Sequence, residues 1–124
     1  MTAAEELKIM NLREMKWSKT EKETARRAFE RAYRNECAAI AAKIREMVST
    51  ASEPEDLWRI HDLLTNERSR TDEKYDYRYS VLLFVFARLL NDGWISEPDL
   101  QGLADDKIEA IRYLETGSTG YEAG

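Results

Sequence analysis

Residues 17–50, WSKTEKETARRAFERAYRNECAAIAAKIREMVST, decide the fold. Ser18 can cap a helix, and Glu21, three residues on, can reach back to its amide, which is capping-box spacing. No Gly or Pro follows until Pro54, so nothing in the stretch stops the helix once begun. Tyr33, Cys37, Ile40, Ile44, Met47 and Ala51 recur at alternating steps of four and three, a heptad seam. Two readings stand: an amphipathic helix packed within its own monomer, or a helix that dimerises. Length favours the second. A helix over 18–50 is ~50 Å long at ~1.5 Å per residue. A compact chain of 124 residues is only about 35 Å across. The helix must overhang its own domain and expose its seam, which a second chain would cover.

Composition agrees with a small helical protein. The length points to one domain with a modest core. Charged residues make up 35% and the net charge is −5, a poor match for a nucleic-acid binder. Five Gly and two Pro leave little punctuation. Cys37 is alone, which excludes an internal disulfide framework and a multi-cysteine metal site, and a single histidine argues against a zinc centre. No metal and no cofactor are expected, and a reducing cytoplasm is the simplest compartment. The apolar run 81–87 is far short of the ~20 residues that span a bilayer, so no membrane insertion is expected. Residues 1–16 lack a signal-peptide layout. They read as a partly helical arm or a disordered extension.

Further along, SEPED (52–56) is a second start signal, with Ser52 as cap, Pro54 in the first turn and Glu55 closing the box. That helix should reach about Arg70, where TDEKYD breaks it. Tyr75, Tyr77 and Tyr79 alternate before SVLLFVFARLL (80–90), so a strand is an alternative there. Continuation to Asn91 and a C-terminal cap at Gly93 decide for helix, one buried on most sides. SEPDL (96–100) repeats the start chemistry for a short turn. A last helix covers about 105–114, and GSTGYEAG closes the chain as part of a flexible tail, 116–124. The class is all-α: residues 17–71 as dimerisation helices and 72–115 as a helical head, within one domain.

The second helix carries the candidate site. Leu57, Ile60 and Leu64 form a core-facing stripe. Trp58, His61 and Asp62 are neighbours on the adjoining face, with Arg68 two turns beyond His61. These residues are either the rim of a wide core stripe or a binding patch, since a partly exposed Trp with Arg, His and Asp has hot-spot composition. Catalysis by His61 with Asp62 finds no nucleophile or phosphate loop to support it. Adjacent helical residues also point about 100° apart, which places Asp62 poorly for orienting the ring. Arg26, Arg27, Arg31 and Arg34 interleave with Glu21, Glu23, Glu30 and Glu36, which reads as a solvated, salt-bridge-laced face. Cys37 reads as a small seam hydrophobe.

DLWRIHDLL (56–64), Arg68 and DEKYDYRYSVLLFVFARLLNDG (72–93) together resemble the fluorescence recovery protein family of cyanobacteria and their relatives. WSKTEKETARRAFERAYRNE (17–36) is similar to that family's first helix, with Trp17, Ser18, Glu21, Ala25, Phe29, Ala32, Tyr33 and Glu36 in matching places. The resemblance runs from about Trp17 to Leu114. It implies an all-helical, antiparallel-type homodimer that is not an enzyme and needs no cofactor. It also implies a partner, the C-terminal domain of photoactivated, red orange carotenoid protein. Members speed its return to the orange form and help detach it from the phycobilisome, which ends fluorescence quenching. The implied place is the cytoplasm, at the cytoplasmic side of thylakoid membranes. The implied working patch is Trp58, His61, Asp62 and Arg68, with Phe84 as a second contact and Leu57 in the dimer contact beside Tyr33, Cys37, Ile40, Ile44 and Met47. A basic residue of the family's last helix falls at Ala110 here, flanked by Lys107 and Arg112. The other reading is a helical dimeric adaptor for a different protein partner.

Overall fold

The computed structural model describes residues 2–116 with their side chains, and 117–123 only by their place in the last helix. The order is α1 (Ala3–Arg13), α2 (Lys19–Thr50), α3 (Pro54–Lys74), α4 (Leu82–Asp92), a 3₁₀ turn (Glu97–Leu100) and α5 (Asp105–Ala123). Among the described residues there is no strand, and the one bridge joins Gln101 to Leu103. The strand alternative is thereby removed: residues 82–90 are helical, and 75–81 are neither strand nor helix. α5 continues past Leu114, where the sequence reading ended it; the tail read at 116–124 lies, beyond Thr116, outside the fully described residues.

The 32 residues of α2 form without a break because the capping box closes as read. The Ser18 amide donates to Glu21 Oε1 at 2.9 Å and the Glu21 amide to Ser18 Oγ at 3.1 Å. The first half of α2 offers the small residues Ala25, Ala28 and Ala32, all buried. They let the head approach closely. The head core is Leu82, Leu83, Phe86 and Leu89 of α4, with Leu100 and Ile111 from the 3₁₀ turn and α5. Gly93 caps α4 at φ 82°, and the amides of Gly93 and Trp94 bond the Leu90 and Leu89 carbonyls, which is why Gly stands there. Gly102 is needed for another reason: a Cβ on it would lie 2.2 Å from Thr24 Oγ1.

Between α3 and α4 the chain crosses α2 as a tyrosine strap. Phe29 takes Tyr75 and Tyr77 edge-on, at 5.4 and 4.9 Å between centroids. Tyr79 meets Trp17 at 5.4 Å, and Arg26 lies over the Tyr77 ring at 3.9 Å. The alternation of these tyrosines thus reflects a non-helical strap across a helix, not a sheet strand.

Several expectations are corrected. Glu21 and Glu36 are buried, not solvated. Lys107 Nζ lies 3.0 Å from Glu21 Oε2, which also accepts from the Ala104 amide at 3.0 Å. Lys74 Nζ lies 2.6 Å from the Glu36 carboxylate, and the Tyr75 hydroxyl donates to Glu36 at 2.8 Å. Burial, and then the bond to Glu36, push the Tyr75 phenol far above its usual range. α3 begins on different chemistry from that read at Ser52 and Glu55. Asp56 Oδ2 accepts from the amides of both Ser52 and Glu53, each at 3.0 Å, because the carboxylate one turn inside the helix reaches both orphan donors. α3 then runs to Lys74 rather than Arg70, since nothing in TDEK breaks a helix. Of the two readings of the arm the partly helical one holds for the described residues: Ala3–Arg13 form α1, with Leu12 buried in the head core.

Burial alone would raise the Glu21 carboxyl, but amides of Ser18 and Ala104 and the Lys107 ammonium outweigh it and hold the group down at about 2. A folded value below the ordinary 4.5 means the unfolded chain binds the proton more readily. The stabilisation is complete above the ordinary value and lost as pH falls toward 2. In urea unfolding across pH 6 to 2.5, Glu21→Gln should be less stable than wild type at pH 6, with the gap closing toward the acid end. A constant gap would show that Glu21 contributes no proton linkage.

Candidate functional site

Residues 51–53 turn the chain so that α3 folds back along α2. The two helices make a hairpin that extends beyond the head. Two layers cannot bury both faces of two long helices, and the surface bears this out. Ile60 is buried, but Leu57 is 58% exposed and Leu64 is exposed. The stripe read as core-facing is therefore mostly open in the single chain. The α2 seam is open too: Tyr33 is exposed and Cys37, Ile40, Ile44 and Met47 are half-buried.

Beside this apolar strip, α3 presents the candidate patch. Trp58 is 61% exposed. Its ring meets that of His61 edge-on, at 6.3 Å between centroids. The His61 carbonyl accepts from Thr65 Oγ1 at 3.0 Å. His61 Nδ1 lies 3.4 Å from Asp62 Oδ1, so the adjacent pair does meet, contrary to the simple helical projection. The contact is long, with both side chains mostly in water, so it does not build a catalytic dyad. Arg68 pairs with Asp72 at 3.6 Å, not with Asp62, as their six-residue spacing requires. At such exposure the pair contributes little to stability, and the guanidinium stays available to a partner.

Two shallow grooves flank the patch. One, of about 430 Å³, lies between the helices and is lined by Tyr33, Cys37, Ile40, Leu64, Arg68 and Asp72, among others. The Cys37 sulfur beside Tyr33 pushes that phenol above its ordinary value. The other groove, of about 390 Å³, is lined by His61, Leu64, Thr65, Arg68, Ser69 and Asp72. Arg68 and Asp72 are shared, so the open seam and the polar patch form one continuous surface. Asp72, which sequence reasoning used only as a helix-end signal, belongs to this surface. Its position four residues after Arg68 was the available clue.

Phe84 stands apart, on α4 of the head, with the Arg13 guanidinium 5.8 Å from its ring centroid. The bases flanking Ala110 are both engaged within the chain: Lys107 with Glu21, and Arg112 Nε with Glu97 at 2.8 Å. Among the described residues no group of His, Cys, Asp and Glu is arranged to hold a metal ion, and no helix is long and apolar enough to cross a membrane.

Comparison with known proteins gives a consistent result. The family model described as "Photoprotection regulator fluorescence recovery protein" matches residues 17–115. The fluorescence recovery protein of Synechocystis sp. is 37% identical over 106 residues, covering 86% of this chain and 97% of that protein. Among solved structures, the fluorescence recovery protein of Fremyella diplosiphon is 44% identical with a TM-score of 0.76, covering 82% of this chain and 99% of that one. The Synechocystis structure is 38% identical with a TM-score of 0.75, covering 80% and 97%.

The exposure pattern separates surface from scaffold. At fixed protein concentration, Trp58→Ala and His61→Ala should each change the urea-unfolding free energy by no more than about 0.5 kcal/mol. Ile60→Ala on the buried side of the same helix should cost about 2 kcal/mol or more. Equal losses at Trp58 and Ile60 would mean that Trp58 is a packing residue.

Proposed function

The chain belongs to the fluorescence recovery protein family, described as photoprotection regulators, and on that premise we propose that it is a non-enzymatic regulator of the orange carotenoid protein. It binds the photoactivated red form, mainly through the C-terminal domain, and speeds return to the orange form. Phycobilisome quenching then ends. The observation that carries this reading is the exposed Trp58, His61, Asp62 and Arg68 set on α3, which packing in the single chain does not use. A protein that drives a conformational return must bind the returning states better than the starting one. An exposed Trp beside hydrogen-bonding and charged groups is suited to that. Trp58 is the apolar anchor, Asp62 and Arg68 set charge complementarity, and His61 hydrogen-bonds. Phe84 makes a second contact from the head.

The working unit is a homodimer closed through Tyr33, Cys37, Ile40, Ile44, Met47 and Leu57. The open apolar strip supports this, since a second copy would supply the layer that the hairpin lacks. No cofactor, metal or nucleic acid takes part, and the site of action is the cytoplasmic side of thylakoid membranes, beside phycobilisomes.

Dark recovery of the orange absorbance band after photoconversion tests the reading. The wild-type chain should accelerate recovery, and Arg68→Leu should lose about tenfold or more of that acceleration while keeping its fold and mass. An Arg68→Leu chain as active as wild type would refute the patch. A folded wild-type dimer without effect would assign the same face to another protein partner. Separately, Leu57→Glu places a carboxylate in the strip and should yield monomers in light scattering. An unchanged mass would refute this dimer contact.

A further inference from the structure

We propose that α1 is an intramolecular cover for the head surface around Phe84, and that it is displaced when the partner docks there. α1 lies outside residues 17–115, the span that the family model matches. It is nonetheless docked. Leu12 is only 5% exposed and sits in the head core cluster. Lys8 Nζ lies 3.9 Å from the Tyr113 ring centroid on α5. Arg13 lies over Phe84 on α4. Leu82, Leu83, Phe86 and Leu89 of α4 turn inward and are buried, whereas Phe84 is half-exposed. α1 thus covers the α4 ring that the core does not claim.

The docking is of a kind that exchanges. A helix of 11 residues is below the length that holds itself in water, so α1 is helical largely because it is docked. It is anchored chiefly by one buried leucine, and its outer face leaves Leu7 and Met10 exposed. The chain after it is held at Lys16, whose carbonyl accepts from Lys107 Nζ at 2.6 Å, and at the buried Trp17, so α1 can leave by turning at Glu14 and Met15 without disturbing α2. The Arg13 guanidinium, 5.8 Å from the Phe84 ring centroid, stands where a partner group would approach that face and has to move aside for it. A site free only part of the time shows an affinity reduced by that fraction, so the cover sets how readily the head engages. The inference rests on Phe84 as a partner contact, as read under Proposed function.

The test uses the full chain. Arg13→Ala removes that exposed guanidinium, and Leu12→Asn with Arg13→Ala undocks the helix. Both should bind photoconverted orange carotenoid protein about three- to tenfold more tightly than wild type, with the double variant stronger. In wild type, adding that partner should speed amide hydrogen exchange across residues 3–13 while exchange in α4 slows. Phe84→Asp should abolish the gain. If wild type acts through Trp58 and Arg68 but the α1 variants bind equally or more weakly, or exchange in α1 slows on binding, the cover is refuted and the functional reading stands. If neither wild type nor any α1 variant binds, the functional reading falls and takes the cover with it. If circular dichroism shows the double variant misfolded, Arg13→Ala and the exchange measurement decide.

Discussion

Lys107 and Lys74 each meet a buried carboxylate of α2, Glu21 and Glu36, and those carboxylates stand 15 residues apart. At ~1.5 Å per residue the separation is roughly 22 Å, about four helical turns. Between them the buried positions of α2 are small: Thr24, Ala25, Ala28 and Ala32. The head is therefore pinned at one end directly, by Lys107 of α5, and at the other through the end of α3, where Lys74 also meets Asp92 of α4 at 3.3 Å. Pairs this buried bring little net stability over an apolar substitute, because desolvation offsets the attraction. What they contribute is register. Sliding the head by one turn would strand two charges in the core, a loss that alanine packing could not make up. The tyrosine strap adds a third constraint, since Phe29 meets both Tyr75 and Tyr77 edge-on.

Fixing the head on the first half of α2 determines what the second half can be. Past Glu36 there is no head to pack against, only α3 folding back. A two-helix hairpin buries one stripe, represented by Ile60, and leaves the neighbouring apolar positions in water. Tyr33, Leu57 and Leu64 are exposed for that reason, and an apolar strip of this length is unfavourable for a lone soluble chain. The polar patch runs along its edge and shares Arg68 and Asp72 with the groove between the helices. A second copy over the strip would border the patch without needing its residues. Assembly and partner recognition can thus use adjoining faces of one helix.

The sequence was legible where the chemistry was local. The capping boxes at Ser18 and Ser96, the Gly93 cap and the helical reading of residues 80–90 all follow from near-neighbour spacing, and each is present. At 52–56 the same logic found the helix start but chose the wrong acceptor, because SEPED holds several oxygens within reach and only geometry shows that Asp56 bonds two amides. Where chemistry was long-range, the sequence misled. Glu21 and Glu36 sit among arginines and look solvated; their partners are 86 and 38 residues away, with no local trace. Periodicity placed Leu57, Ile60 and Leu64 on one stripe correctly. It carried no information on whether anything covers that stripe. The candidate patch was proposed because Trp58, His61, Asp62 and Arg68 fall off the apolar stripe, and the same reasoning passed over Asp72, which looked like a helix-end signal.

The division between scaffold and surface bears on mechanism. A regulator that shifts a partner's conformation needs differential affinity, not just affinity. One patch on a rigid rod binds one surface and discriminates states only if that surface changes. Two contacts held at a fixed separation also sense the distance and angle between the surfaces they touch. In this chain the fixed separation is supplied by α2, whose pinned register sets where the head stands relative to Trp58 and Arg68. A conformer of the partner that presents both surfaces at that spacing gains both contacts, and any other gains one. On the proposed reading, the buried lysine–carboxylate pairs matter to function because they hold the spacing against which the partner is compared, although they touch no partner themselves.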